Sequence, residues 1–196
     1  MAYSIKNGGI MLKKCIEYKR FVWELDNVIN LENINSNIVF LCIGTNKVAG
    51  DCFGPYVGSF LKKSFNKFYN IKVIGDLNND ITYSNIKKLE KTIENEYKNS
   101  LIIVIDAALS NKENVGKVFV QNRGLKYAQC LRKQNNSIGN ISIKAVVGKN
   151  ANNSFINFKT LKDVSIESVQ TLSNFVATGI IEVMNKKEIY GKNIYI

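Results

Sequence analysis

Two aspartates, Asp51 and Asp106, stand where a carboxylate can do chemistry rather than merely solvate a surface. Asp51 follows the apolar run Ile38–Ile43 across Gly44-Thr45-Asn46-Lys47-Val48-Ala49-Gly50, and Asp106 closes the run Leu101–Ile105. Each is expected at the end of a buried strand, and in α/β sheets those ends face the crevice in which ligands bind. Two carboxylates meeting there can divide their roles, one accepting a proton from water and the other donating one. Alternatively, both stay ionised and hold a divalent metal ion that activates the water. The chain has no histidine, which excludes serine–histidine catalysis outright. Cys52 beside Asp51 would lack the usual base for a thiol nucleophile.

The segment Gly44-Thr45-x-x-x-x-Gly50-Asp51-x-x-Gly54-Pro55 joins a strand to a helix start. Its glycines let the backbone approach a ligand closely, and free N–H groups at a helix start favour an anion. Gly44, Thr45 and Gly50 are therefore candidates to shape a substrate-binding loop. Two readings of Asp51 stay open at this point, because aspartate just before a helix is also a good N-cap. The loop is not a P-loop, since the Gly-Lys-Ser/Thr ending is missing. Asp106 has fewer alternatives: a carboxylate directly after five apolar residues risks burial, so it must be paired, capping, protonated or bound.

The elements that would position these residues follow from periodicity. Apolar residues at Ile16, Phe21, Val22, Leu25, Val28 and Ile29 predict a helix over 11–31, and Phe53, Val57, Phe60, Leu61 and Phe65 predict another over 52–69, with Pro55 in its first turn. A helix is expected over 83–97 and a long final one over 164–185. Strands are expected at 38–43, 71–74, 101–105 and 141–146, and at 116–120 with antiparallel pairing. Alternation of strands and helices predicts an α/β fold, a three-layer α/β/α sandwich on a mostly parallel sheet. We expect a single domain over 1–196, with a helical N-terminal extension (1–35) and an α/β core (36–196).

The chain's 196 residues are 45% hydrophobic and 22% charged, ordinary values for a globular protein. No apolar stretch is long enough for a membrane span, and the N-terminus lacks a secretory pattern, so a cytoplasmic protein without a membrane partner is expected. Cys15, Cys42, Cys52 and Cys130 form no C-x-x-C pair, so reduced thiols rather than structural zinc are expected. Lysines and arginines exceed acidic residues by 27 to 16, a net charge of +11. The excess is dispersed, and the arginines are Arg20, Arg123 and Arg132, with no aromatic-interleaved basic stripe. That pattern argues against nucleic acid as the main partner.

At Phe40–Thr45, Gly50–Gly58, Ile105–Ala107, Glu113–Gly116 and Ile138–Ile143 the chain resembles the YyaC-like sporulation proteins, to which a spore-protease role is ascribed. The stretches occur in the same order and span nearly the whole chain after about residue 35. That family is similar in turn to the germination proteases and the hydrogenase maturation proteases. The resemblance implies a phosphorylase/hydrolase-like fold with its centre between Asp51 and Asp106. These are the two catalytic aspartates of the germination-protease pattern, or the two acidic metal ligands of the maturation proteases. It also implies a peptide or small spore protein as substrate, with a place in the cytoplasm or developing spore of a spore-forming bacterium. Three departures stand out. No histidine can be the third ligand of the maturation proteases. The family has a histidine where this chain carries Asp80-Ile81-Thr82-Tyr83. It has an aspartate at Asn140, expected here as a third polar group at the rim. The expected function is a sporulation-associated endopeptidase. The alternatives are a non-catalytic protein binding a peptide or small ligand in the same crevice, and nucleic-acid association through the positive charge.

Overall fold

Every position of the run Ile38–Cys42 is buried, and so are the first six of Leu101–Ser110, the pattern of strands covered on both faces. A computed structural model describes residues 3–31, 37–82, 86–126 and 137–187. In chain order the elements are α1 (Tyr3–Leu31), β1 (Ile38–Cys42), α2 (Phe53–Ser64), β2 (Ile71–Ile74), α3 (Ile86–Glu96), β3 (Leu101–Ser110) and β4 (Val118–Gln121). They continue with β5 (Leu125–Lys126), β6 (Ser137–Ile138), β7 (Ile141–Lys149), α4 (Ser154–Asp163) and α5 (Ile166–Lys186). The main sheet has the order β2-β1-β3-β7-β4; β4 is antiparallel to β7, and the other pairs are parallel. The fold is α/β, a mostly parallel sheet between helical layers.

Alternation along the strands divides the core in two. Phe40, Cys42, Ile103, Ile105, Ile141 and Ile143 face α1, α2 and α5. Val39, Leu41, Ile43, Ile102 and Val104 face α3 and the small β5–β6 ladder. The inner side of α1 belongs to the first layer: Phe21, Val22, Leu25 and Ile29 are buried, and Phe21 lies against Gly179 of α5. That part of the expected N-terminal extension is thus packed into the body of the molecule. Helix α5 is capped by Ser165, whose side chain accepts from the Ser168 N–H.

Several expectations need correction. The final helix expected over 164–185 is α5, whereas α4 before it was not expected and has no buried residue that would have marked it as periodic. The helix after the first loop is shorter than expected and is entered through a 3₁₀ turn, Ala49–Cys52. Asp106 does not end its strand: β3 runs on to Ser110, because Ala107 and Ala108 pair with Ala145 and Val146 of β7. It is β1 that stops, at Cys42. Part of the predicted helix over 83–97 falls at residues 83–85, outside the described residues.

Candidate active site

The site is organised by the place where β1 ends. Ile43 still donates its N–H to the Ile105 carbonyl at 2.8 Å, continuing the sheet, and Gly44 then turns away with φ +137°. A side chain at Gly44 would also run into the Asp51 carbonyl, since a Cβ placed there lies 2.0 Å from that oxygen. Gly44 is therefore needed both for its conformation and for the return of the chain at Asp51. On the other side, the Gly44 N–H donates to the Ile81 carbonyl at 2.8 Å, which brings in the loop between β2 and α3. Asn46 ties the same loop down with a 2.7 Å bond from its side-chain amide to the Leu77 carbonyl.

Thr45 is the hinge pin of this arrangement. Its hydroxyl donates to Asp80 Oδ2 at 2.6 Å, and its backbone N–H donates to the Asp51 carboxylate. Its carbonyl accepts from Cys52 Sγ at 3.4 Å. Asp51 is not the helix cap: it lies inside the 3₁₀ turn, and Cys52, at the N-cap of α2, makes no side-chain capping bond. Burial pushes the Asp51 carboxyl above its usual pKa; the Thr45 N–H opposes this and the Asp80 charge reinforces it. Cys52 is also pushed up, by burial and then by the charge of Asp51. It is held as a thiol, contrary to what a thiolate nucleophile needs.

Asp106 is 5% exposed and follows Ile105, the register partner of Cys42. It thus lies on the neighbouring strand one step beyond the end of β1, alongside Ile43 and the turn at Gly44. Alternation puts it on the face of Val104, where the loop carrying Asp80 and Ile81 also packs. On β7 its register partner is Lys144, so a cation stands on the adjacent strand and the same face. Ser142, one step before Lys144 on that face, is buried with no hydrogen-bond partner for its hydroxyl among the described residues. A hydroxyl in that position has unspent bonding capacity.

The structure therefore sets Asp51, Thr45 and Asp106 around one strand end and adds two residues that sequence reasoning did not assign, Asp80 and Lys144. Asn140 is not part of this group. Its side chain accepts from the Ile102 N–H at 2.9 Å, and its own N–H donates to the Ile102 carbonyl at 2.8 Å. Ile102 precedes Asp106 by four residues, about 13 Å along a strand. Asn140 thus pins the opposite end of β3, and the loss of a carboxylate there does not alter the charge around Asp51. Gly50 is also reassigned: it meets Leu161 of α4 rather than open space, so its lack of a side chain serves close packing.

A divalent ion needs several hard ligands at one point. Among the described residues, no group of three or more His, Cys, Asp or Glu side chains is arranged to hold one. The metal route expected through Asp51 and Asp106 does not fit this donor set. A groove of about 590 Å³ lies between the start of α5 and the 115–116 turn. It is lined by Val146, Val164, Ser165 and Leu172 among others and includes neither Asp51 nor Asp106. No helix among the described residues is long and apolar enough to cross a membrane.

The family described as protein of unknown function (DUF1256) matches residues 12–179. The chain belongs to this family. It is 28% identical over 143 residues to the uncharacterized protein YyaC of Bacillus subtilis (strain 168), covering 73% of this chain and 67% of that one. The chain is thus YyaC-like, as its motifs imply. Among solved structures it is similar to the [NiFe] hydrogenase maturation protease HycI from Thermococcus kodakarensis KOD1. The TM-score is 0.54 with 16% identity over 82% of this chain and 98% of the other. At that identity the likeness is one of fold.

Proposed function

We propose that this DUF1256 member is a sporulation-associated endopeptidase that uses Asp51 and Asp106 directly, without a resident metal, to add water across a peptide bond. In this reading Asp106, with Lys144 on the adjacent strand, takes a proton from the attacking water. The resulting hydroxide forms the bond to the peptide carbonyl carbon. Asp51, held toward its neutral form by burial and by Asp80, donates its proton to the departing amide nitrogen. Thr45 orients Asp51 through its backbone N–H. The observation that carries the reading is that Asp106 lies one step beyond the end of β1 and Asp51 returns to the turn at Gly44 that leaves it. The protease-like fold supports the reaction class, and the resemblance to spore proteases supports a peptide or small spore protein as substrate.

The test is cleavage of small spore proteins by the purified chain and by its Asp51→Asn and Asp106→Asn variants. Each substitution is expected to remove cleavage while leaving the fold intact, and addition of a chelator is expected to change nothing. Cleavage that persists in Asp106→Asn would refute the assignment. One observation favours a second reading, a non-catalytic member that binds a peptide in the same crevice: Asp80 and Thr45 hold Asp51 in a bonded network that a binding site would also require. It predicts ligand-dependent stabilisation with no cleavage under any condition.

A further inference from the structure

Helix α4 turns its apolar side chains the wrong way for a helix that only supports the core. None of its residues is buried, whereas Phe155, Ile156 and Phe158 are 78%, 48% and 49% exposed. Its inward side is made of smaller or polar contacts: Leu161 meets Gly50, and Thr160 meets Gly148 of β7. Helical spacing places Phe155, Phe158, Lys159 and Lys162 together on the outward side. Single exposed apolar residues are ordinary, but three on a ten-residue helix that buries nothing mark an interaction face.

We propose that this face docks an acidic protein segment carrying an aromatic or aliphatic anchor, and that the segment belongs to the substrate; only the latter part rests on the hydrolase reading above. Position is the first reason. Leu161, on the inner side of α4, abuts Gly50, the residue before Asp51, so the helix bearing this face packs directly on the turn that carries Asp51. Charge is the second. The protein carries +11, which sets a second copy at a disadvantage on this surface. Lys159 and Lys162 flank the two rings, and Lys162 Nζ lies 4.9 Å from the centre of the Phe158 ring. Asp163, the helix's own acid, sits at its C-terminal end. A segment with carboxylates around an apolar side chain complements such a face in both respects. Space is the third reason. The 590 Å³ groove starts at Val164, where α4 ends, and can receive further side chains of the same segment.

The probe is a short fluorescein-labelled peptide alternating glutamate and leucine around a central phenylalanine. Its binding to the full-length Asp106→Asn protein is followed by fluorescence anisotropy, so that cleavage plays no part. Phe155→Ser with Phe158→Ser should weaken binding about tenfold or more. Lys159→Glu with Lys162→Glu should weaken it at low salt and flatten its salt dependence. All four positions are on the outside of the helix, so melting curves should match that of the parent. Equal affinity of parent and phenylalanine variant overturns the proposal, as does equal binding of a peptide with lysine in place of glutamate. Displacement of the peptide by an oligothymidylate, or self-association lost in the phenylalanine variant, would assign the face to nucleic acid or to a second copy instead. Loss of docking in the variants, with no cleavage by the native protein, leaves the docking face standing and removes the hydrolase reading. Asp106-dependent cleavage that the phenylalanine variants leave unchanged in KM removes the docking face alone.

Discussion

The Thr45 hydroxyl donates a 2.6 Å hydrogen bond to Asp80 Oδ2, fastening the loop after β1 to the loop after β2. The bond is charge-assisted and partly screened from water, so it is worth more than an average side-chain bond. Thr45→Val keeps the shape and removes the donor. It is expected to lower unfolding free energy by about 1–2 kcal/mol. Urea unfolding at neutral pH measures this, and an unchanged midpoint would show that the two loops are held by their backbone contacts alone.

Asp51 gives the pH dependence an unusual sign. Its folded-state pKa lies above the ordinary carboxylate value of 3.8, chiefly through burial. The folded protein therefore binds the Asp51 proton more tightly than the unfolded chain does. The stabilisation this provides is complete below pH 3.8 and is lost as pH rises through the higher, folded value. Asp51→Asn should thus be more stable than the native protein at neutral pH, with the difference shrinking in acid. Parallel unfolding curves from pH 3 to 7, about the carboxylate range, read the effect directly.

Asp76 behaves in the opposite way. Burial alone would raise its pKa, but the pairing with Lys62 and the N–H groups of Asn78 and Asn79, at 2.7 and 2.8 Å, hold it below 3.8. Its contribution is present above that value and is lost as pH falls through the folded pKa. Asp76→Asn should cost about 1–3 kcal/mol at neutral pH, and the two proteins should converge in acid. A constant gap across the range would mean that the carboxylate charge is irrelevant to the turn.

The first helix offers a contrast between its two sides. Leu25 is fully buried against the sheet layer, while Trp23 is 65% exposed. Leu25→Ala should cost about 2–5 kcal/mol, and Trp23→Ser should change stability by less than about 0.5 kcal/mol. A chain lacking residues up to about 31 should accordingly lose cooperative thermal unfolding. Retention of a native-like melt would make the helix a detachable cover.

Much of the sheet was legible because β1 and the first half of β3 are apolar at every position, and only a doubly covered strand tolerates that. The aspartates were legible for the same reason, as charges placed directly against such runs. What could not be read was register. Asp106 ends the apolar run but not the strand, because partnership with β7 carries β3 four residues further. Lys144 becomes its neighbour through that pairing and not through any local pattern. Asp80 enters the site because Gly44 and Ile81 bond across two loops, a contact that joins residues far apart in the chain. Asn140 was misplaced because its nearness to Ile143 in sequence gave no indication of which end of β7 it occupies. Helix α4 was missed because its apolar residues face outward, so its periodicity does not point to a core.

The order β2-β1-β3-β7-β4 has one more consequence. Both margins of the sheet are strands of only four residues, and on β2 the exposed position belongs to Lys72. Brief, lysine-bearing borders make poor templates for strand addition by a neighbouring chain. A sequence with such long apolar runs in its middle strands thereby keeps its most adhesive segments interior, protected from the intermolecular pairing that leads to aggregates.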